Sequence, residues 1–128
     1  MSKEFFSRQL SACEVLIMKA VWNYDGDIPL QKLMESLRDD FHKEYARTTV
    51  ATFLTRLSNK GYVQTYRKGR VSFTHALKDE EDYKQRLVQE EADFWFGGSE
   101  ADLISALIKD RKLSKKEIEK IQSAISDL

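Results

Sequence analysis

An apolar stripe at helical spacing that gives way, at one glycine, to short β-rich segments most narrows what this chain can fold into. Val50, Phe53, Leu54 and Leu57 stand at i, i+3, i+4 and i+7, which predicts the buried stripe of a helix over residues 47–60. Gly61 then falls where a helix places its C′ glycine. Beyond it, residues 62–67 and 70–77 are rich in β-formers and bracket Lys68-Gly69, which predicts a hairpin with its two-residue turn at those positions. Val71, Phe73 and Leu77 alternate onto one face, expected to cover the helices.

The other side of that helix is unusual. Thr48, Thr49, Thr52 and Thr55 share it with Arg56 and Asn59. Threonine is a poor helix former because its branched Cβ crowds the preceding turn, so something other than propensity favours four of them here. The hairpin tip, Arg67-Lys68-Gly69-Arg70, carries three cations.

Two helices precede this pair of elements. Ser11 with Glu14 is a capping-box pattern opening a helix over residues 11–24, with Val15, Met18, Val21 and Trp22 at helical spacing. Pro29 suits the first turn of a second helix whose stripe is Leu30, Leu33, Met34 and Leu37, and residues 38–45 read as a polar loop. After the hairpin, residues 79–96 read as a long helix, acidic in its first turn as the helix dipole prefers. Gly97-Gly98 breaks it. Ser99 with Asp102 and Ser114 with Glu117 then open two short amphipathic helices.

Charge is sorted along the chain although it sums to zero. Residues 1–41 carry five basic and seven acidic side chains, and residues 77–128 carry nine and thirteen. Residues 42–76 carry seven basic side chains against Glu44 alone, a net of +6 confined to the Thr/Arg helix and the hairpin. Such a footprint is the sort that draws a polyanion to one surface, and charge alone is equally consistent with an ordinary solvated basic face. A single cysteine, Cys13, excludes a disulfide framework and a multi-thiolate metal site, and reads as a small apolar residue. His42 and His75 stand apart from it and from each other, so no metal or other cofactor is expected. No Gly-rich phosphate loop, Ser/His/Asp elbow or HExxH motif is present, which argues against an enzyme. Met1-Ser-Lys-Glu-Phe-Phe has no apolar leader, and no run nears the length of a membrane span. The chain reads as cytoplasmic.

Taken in order, helix, helix, Thr/Arg-faced helix and basic hairpin outline a winged helix-turn-helix. A helix fits the major groove; short polar side chains let its backbone approach the base edges, and arginine can bind guanine bidentately. Cations at a hairpin tip reach flanking phosphates and set register. The expected fold is therefore mainly α-helical with a small β-hairpin wing, a DNA-binding domain over residues 1–77 and a helical dimerisation domain over residues 78–128. Arg47, Thr48, Thr49, Thr52, Thr55, Arg56, Lys60, Arg67, Lys68 and Arg70 are the candidate contacts to double-stranded DNA.

These motifs also carry a resemblance. Ser11-Ala-Cys-Glu14, Met18 and Trp22, then Thr48-Thr-Val-Ala-Thr-Phe-Leu-Thr-Arg-Leu57 and Lys60-Gly-Tyr-Val63, resemble the bacterial penicillinase, methicillin-resistance and copper-responsive repressors. Gly97-Gly98 and Leu113-Ser-Lys-Lys-Glu-Ile118 extend the likeness into the C-terminal half. The resemblance implies a homodimeric repressor on a palindromic operator, with Thr48, Thr49, Thr52 and Arg56 at the operator. It also implies a link to β-lactam resistance and relief by a regulatory protease or sensor. Ala106-Leu107 falls near the place of that cleavage, but its flanks do not match it. The paired C-terminal cysteines of the copper-responsive branch are missing, and Thr48 and Ala51 stand where other members carry basic side chains.

Roughly fifty residues after the hairpin are too few for a large core of their own. Folding back onto the winged domain or pairing with a second copy would both bury their apolar stripes; the aromatic cluster and the Ile/Leu stripes favour pairing, expected through Tyr83, Leu87, Phe94, Trp95, Leu103, Leu107, Ile108, Ile118, Ile121 and Ile125. A winged helix serving as a protein–protein adaptor is the competing reading; such domains usually lack the cation and threonine face.

Overall fold

The computed structural model describes residues 9–109 and 112–128, and the reading of the first six residues as leaderless lies outside them. The chain is mainly helical with a small sheet, in the order α1 (Ala12–Asn23), β1 (Ile28–Pro29), α2 (Leu30–Phe41), α3 (Arg47–Asn59), β2 (Val63–Lys68), β3 (Val71–Ala76), α4 (Glu80–Phe96), α5 (Glu100–Ile108) and α6 (Lys115–Ser126). It divides into two compact units between Leu87 and Val88, within α4.

In the first unit, Ser11 Oγ accepts the Glu14 N–H at 3.2 Å and the Glu14 carboxylate accepts the Ser11 N–H at 2.7 Å, completing the capping box of α1. The helix buries Ile17, Met18, Ala20 and Val21, while Val15, expected on the apolar stripe, is exposed. Helix α2 buries Leu33 and Leu37. It does not stop at Leu37. Phe41 extends the stripe by one more i+4 step and packs against the core, so residues 38–41 are helical rather than loop. The helix ends where His42 adopts a left-handed conformation (φ 56°) and its N–H reaches the Arg38 carbonyl. Pro29 lies just outside α2, in β1, rather than in its first turn.

Helix α3 buries Val50, Leu54 and Leu57, with Phe53 half-buried beside them. Gly61 follows with φ +81°, a backbone conformation that disfavours any side chain. The three strands form one antiparallel sheet in the order β1-β3-β2.

Two details of the hairpin differ from expectation. Lys68 pairs with Val71, so the turn residues are Gly69 and Arg70, one step later than Lys68-Gly69. Gly69 supplies the positive φ (+65°) at the first turn position, as a type II′ turn requires. The register also inverts the faces. Val63 pairs with Ala76 and Ile28 with Thr74, which turns the side of β3 bearing Thr74 and Ala76 toward the helices. Val71 and Leu77 are exposed, and Phe73 lies on the opposite face, stacked on Tyr66 at 5.5 Å and 15°. Strand side chains have a period of two, so a single-residue shift moves the whole set to the other face.

The core of this unit gathers Ile17, Met18 and Val21 of α1, Ile28, Leu33 and Leu37, Val50 and Leu57 of α3, and Tyr62, Val63 and Tyr83. Tyr83 joins it by ring contacts with Trp22 (5.3 Å) and Tyr62 (6.3 Å), while the Trp22 indole N–H donates to the Lys78 carbonyl at 2.9 Å.

In the second unit, Gly97 and Gly98 both take positive φ, and the Gly98 N–H returns to the Ala92 carbonyl to close α4. Ser99 Oγ and Ser114 Oγ each accept, at 3.1 Å, the N–H of the third residue on, capping α5 and α6. Neither helix has a buried residue. Among the described residues no helix is long and apolar enough to cross a membrane, and no group of three or more His, Cys, Asp and Glu could hold a metal ion.

Candidate nucleic-acid interface

Burying Val50, Leu54 and Leu57 dictates what α3 presents outward. On a helix of 3.6 residues per turn, Thr48, Thr52, Thr55 and Asn59 form the strip opposite that stripe, and all four are exposed. Arg47 and Arg56 flank the strip, also exposed, and Thr49 is half-buried at its margin. The threonine hydroxyls are not idle. Thr52 Oγ1 donates to the Thr48 carbonyl and Thr55 Oγ1 to the Ala51 carbonyl, each at 3.0 Å. These bonds occupy the hydroxyl protons, leave the lone pairs free, and make threonine tolerable inside a helix.

The ends of α3 are tied to its neighbours. Arg47 Nη2 donates to Gln31 Oε1 on α2 at 3.2 Å. Tyr45, just before α3, stands edge-on to Phe53 at 5.7 Å and donates its hydroxyl to Cys13 Sγ at 3.0 Å. That hydrogen bond raises the Tyr45 pKa above its ordinary value. The Arg56 guanidinium lies 5.9 Å from the centre of the Phe53 ring, a cation–π contact that directs it along the helix surface.

Lys60 is differently placed. Its ammonium donates to Glu14 Oε1 at 2.8 Å and to the Gln9 carbonyl at 2.6 Å, joining the end of α3 to the buried cap of α1. Burial alone would raise the Glu14 pKa, but the Lys60 hydrogen bond, the two bonds from Ser11 and the Lys60 charge together bring it below the ordinary carboxylate value. The capping pattern was legible in the sequence; a lysine forty-six positions away as its counter-ion was not.

The hairpin carries Arg67 and Lys68 at the end of β2 and Arg70 in the turn, all exposed. At its base is a cluster with no sequence signal. Asp27, in the connection before β1, accepts the Tyr66 hydroxyl on Oδ2 at 2.5 Å and meets His75 Nδ1 through Oδ1 at 2.7 Å. The Tyr66 bond, then the His75 bond, lowers the Asp27 pKa.

The residues expected to pair with a second copy divide into two groups. Tyr83 and Leu87 pack on the core of the first unit. In the second unit, Phe94 and Trp95 are exposed and stand edge to face at 4.7 Å. Leu107, Ile108 and Ile125, with Leu113 and Ile121, line an apolar cleft of about 540 Å³ between α5 and α6. Leu103 is half-buried on α5, and Ile118 is exposed on α6.

Three helices, a three-stranded sheet in this order and a basic hairpin after the third helix define a winged helix-turn-helix protein. The family described as penicillinase repressor matches residues 10–127, and the chain belongs to that family. It is 23% identical to a penicillinase repressor of Staphylococcus aureus over 94% of this chain and 93% of that protein. It is 20% identical to the methicillin resistance regulatory protein MecI of Staphylococcus aureus and of Staphylococcus epidermidis, over 92% of this chain and 94% of theirs. Its fold is similar to the solution structure of the DNA-binding domain of the repressor BlaI, with a TM-score of 0.50 and 28% identity over 62% of this chain and 94% of that domain.

Proposed function

We propose that this protein is a transcriptional repressor that binds a palindromic double-stranded operator as a homodimer. The observation that carries this reading is the exposed strip of Thr48, Thr52, Thr55 and Asn59, flanked by Arg47 and Arg56, on the third helix of a winged fold whose hairpin ends in Arg67, Lys68 and Arg70. In the major groove, threonine methyls meet thymine methyls, threonine lone pairs accept from adenine or cytosine amines, and Arg56 takes guanine. The wing cations meet phosphates and position the protein without reading sequence. Lys60 serves the fold in this reading, holding α3 to α1 through Glu14.

The second unit supports the dimer. Leu107, Ile108, Ile118 and Ile125 are each more than two-fifths exposed on helices without a fully buried residue, an apolar surface a second copy would cover. Two recognition helices would then address half-sites a whole number of helical turns apart. Cutting this unit would remove the pairing surface, so cleavage by a regulatory protease would release the operator. The names of the relatives point to β-lactam resistance genes as the regulated set, and a repressor of such genes would work in the cytoplasm, where its operator DNA is.

The test is footprinting and titration on DNA upstream of its own gene. Arg56→Ala should cost about 1–3 kcal/mol on the operator and relax selection at one base pair, whereas Arg67→Ala should weaken all duplexes alike. Wild-type affinity should fall with salt at a log–log slope of about −0.9 per phosphate contacted. Binding without a protected dyad, or no salt-dependent duplex affinity, would refute the reading in favour of a protein–protein adaptor.

A further inference from the structure

The wing hangs on a short attachment. Strand β1 contributes two residue pairs to the sheet, Ile28 with Thr74 and Pro29 with Phe73. Beyond Phe73 and its partner Tyr66 the hairpin continues through Arg67, Lys68, Gly69 and Arg70 with no third strand beside it among the described residues. A two-stranded ribbon twists and bends readily, so a separate contact is needed to decide where its tip points. The outer face of the hairpin supplies it. Tyr66 and His75, one on each strand, converge on the two oxygens of Asp27, while Tyr66 stacks on Phe73.

We infer that Asp27 is a positioning residue for DNA binding, fixing the direction of the Arg67, Lys68 and Arg70 tip by holding both strands of the wing to the connection after α1. The inference rests on the proposed reading of the wing as a phosphate-contacting element. Asp27 touches no DNA; it clamps Tyr66, and Tyr66 is bonded through the backbone to Arg67. A carboxylate serves because each oxygen takes its own donor, the phenol on Oδ2 and the imidazole N–H on Oδ1. Loss of the clamp frees the hairpin to sample orientations in which its cations miss the phosphates.

The experiment measures binding of the full chain to operator and random duplexes across a salt series for wild type, Asp27→Ala, Tyr66→Phe and Arg67→Ala/Lys68→Ala/Arg70→Ala. The triple variant should flatten the log–log salt slope by up to about 2.7, three phosphates at about 0.9 each. Asp27→Ala should flatten it by about 1 or more, and Tyr66→Phe, which removes a single hydroxyl, should move it the same way with no change in Tm. Added to the triple variant, Asp27→Ala should change the slope no further. A purely structural role would lower the Tm of Asp27→Ala with the wild-type slope intact, and would overturn the inference. So would an additional loss of slope in the triple background. Failure of the DNA reading itself looks different: wild type would then show no salt-dependent duplex binding.

Discussion

Removing Lys60 tests whether the ion pair between α3 and α1 is a buried one. Glu14 is 2% exposed at its side chain and Lys60 is 37% exposed, with 2.8 Å between them. In Lys60→Ala the carboxylate keeps its bonds from Ser11 but loses the ammonium that is its counter-ion among the described residues. Breaking a buried pair costs about 3–5 kcal/mol, and the partial exposure of Lys60, which lets water enter its place, reduces this to about 2–3 kcal/mol at pH 7. The pH dependence carries the test. In wild type the Glu14 pKa is depressed, so its stabilising contribution is present above the unfolded carboxylate value of 4.5 and is lost as pH falls through the lower folded value. In Lys60→Ala both contributions of Lys60 are gone and the Ser11 bonds alone oppose burial, so the folded value rises relative to wild type and the variant loses less stability than wild type as Glu14 takes up a proton. The gap between the two proteins should therefore be widest near neutrality and should narrow below about pH 5. Urea unfolding followed by tryptophan fluorescence at pH 7 and pH 4.5 measures it. A gap under about 0.5 kcal/mol at pH 7, the size of an exposed pair, or one that does not narrow with acid, would show that Glu14 is not desolvated and that the reasoning is wrong.

Two further outcomes are expected. Tyr62 is 2% exposed, and its hydroxyl has no hydrogen-bond partner among the described residues; burial raises its pKa. Tyr62→Phe should leave stability unchanged or raise it by up to about 1 kcal/mol, since it deletes an unsatisfied polar atom and keeps the ring contact with Tyr83; a loss above 1 kcal/mol in the same urea assay would mean the hydroxyl has a partner. Leu107 is 58% exposed on α5, so Leu107→Asp should not unfold the first unit, yet should shift sedimentation toward the 14.9 kDa monomer and weaken operator binding at least about tenfold through loss of the paired half-site. An unchanged dimer would remove α5 from the pairing surface.

Local signals were enough to identify α1, α3, α4, α5 and α6, because each carries its own cap, apolar stripe or end: Ser11 with Glu14, Val50 through Leu57, the acidic first turn and Gly97-Gly98 of α4, Ser99, Ser114. The Thr/Arg face of α3 was legible for the same reason, since burying one side of a helix exposes the other. The end of α2 was misplaced because residues 38–40 are polar and Phe41 matters only once a core lies beneath it. Strand β1 escaped notice because two residues have no period.

What the tertiary structure alone decided are relations between distant positions. The sheet register chose Thr74 over Phe73 as the inward residue, and nothing in an alternating strand says which parity faces the core until a partner such as Ile28 pairs with it. Lys60, one of several cations by composition, was claimed by Glu14 forty-six residues earlier. Tyr83, expected at a pairing surface, was drawn into the aromatic contacts of Trp22 and Tyr62. Asp27, Tyr66 and His75 meet only because β1 lies beside β3. A sequence states which faces are apolar and which are charged; which of them meet depends on long-range closure, whose energy no local window contains.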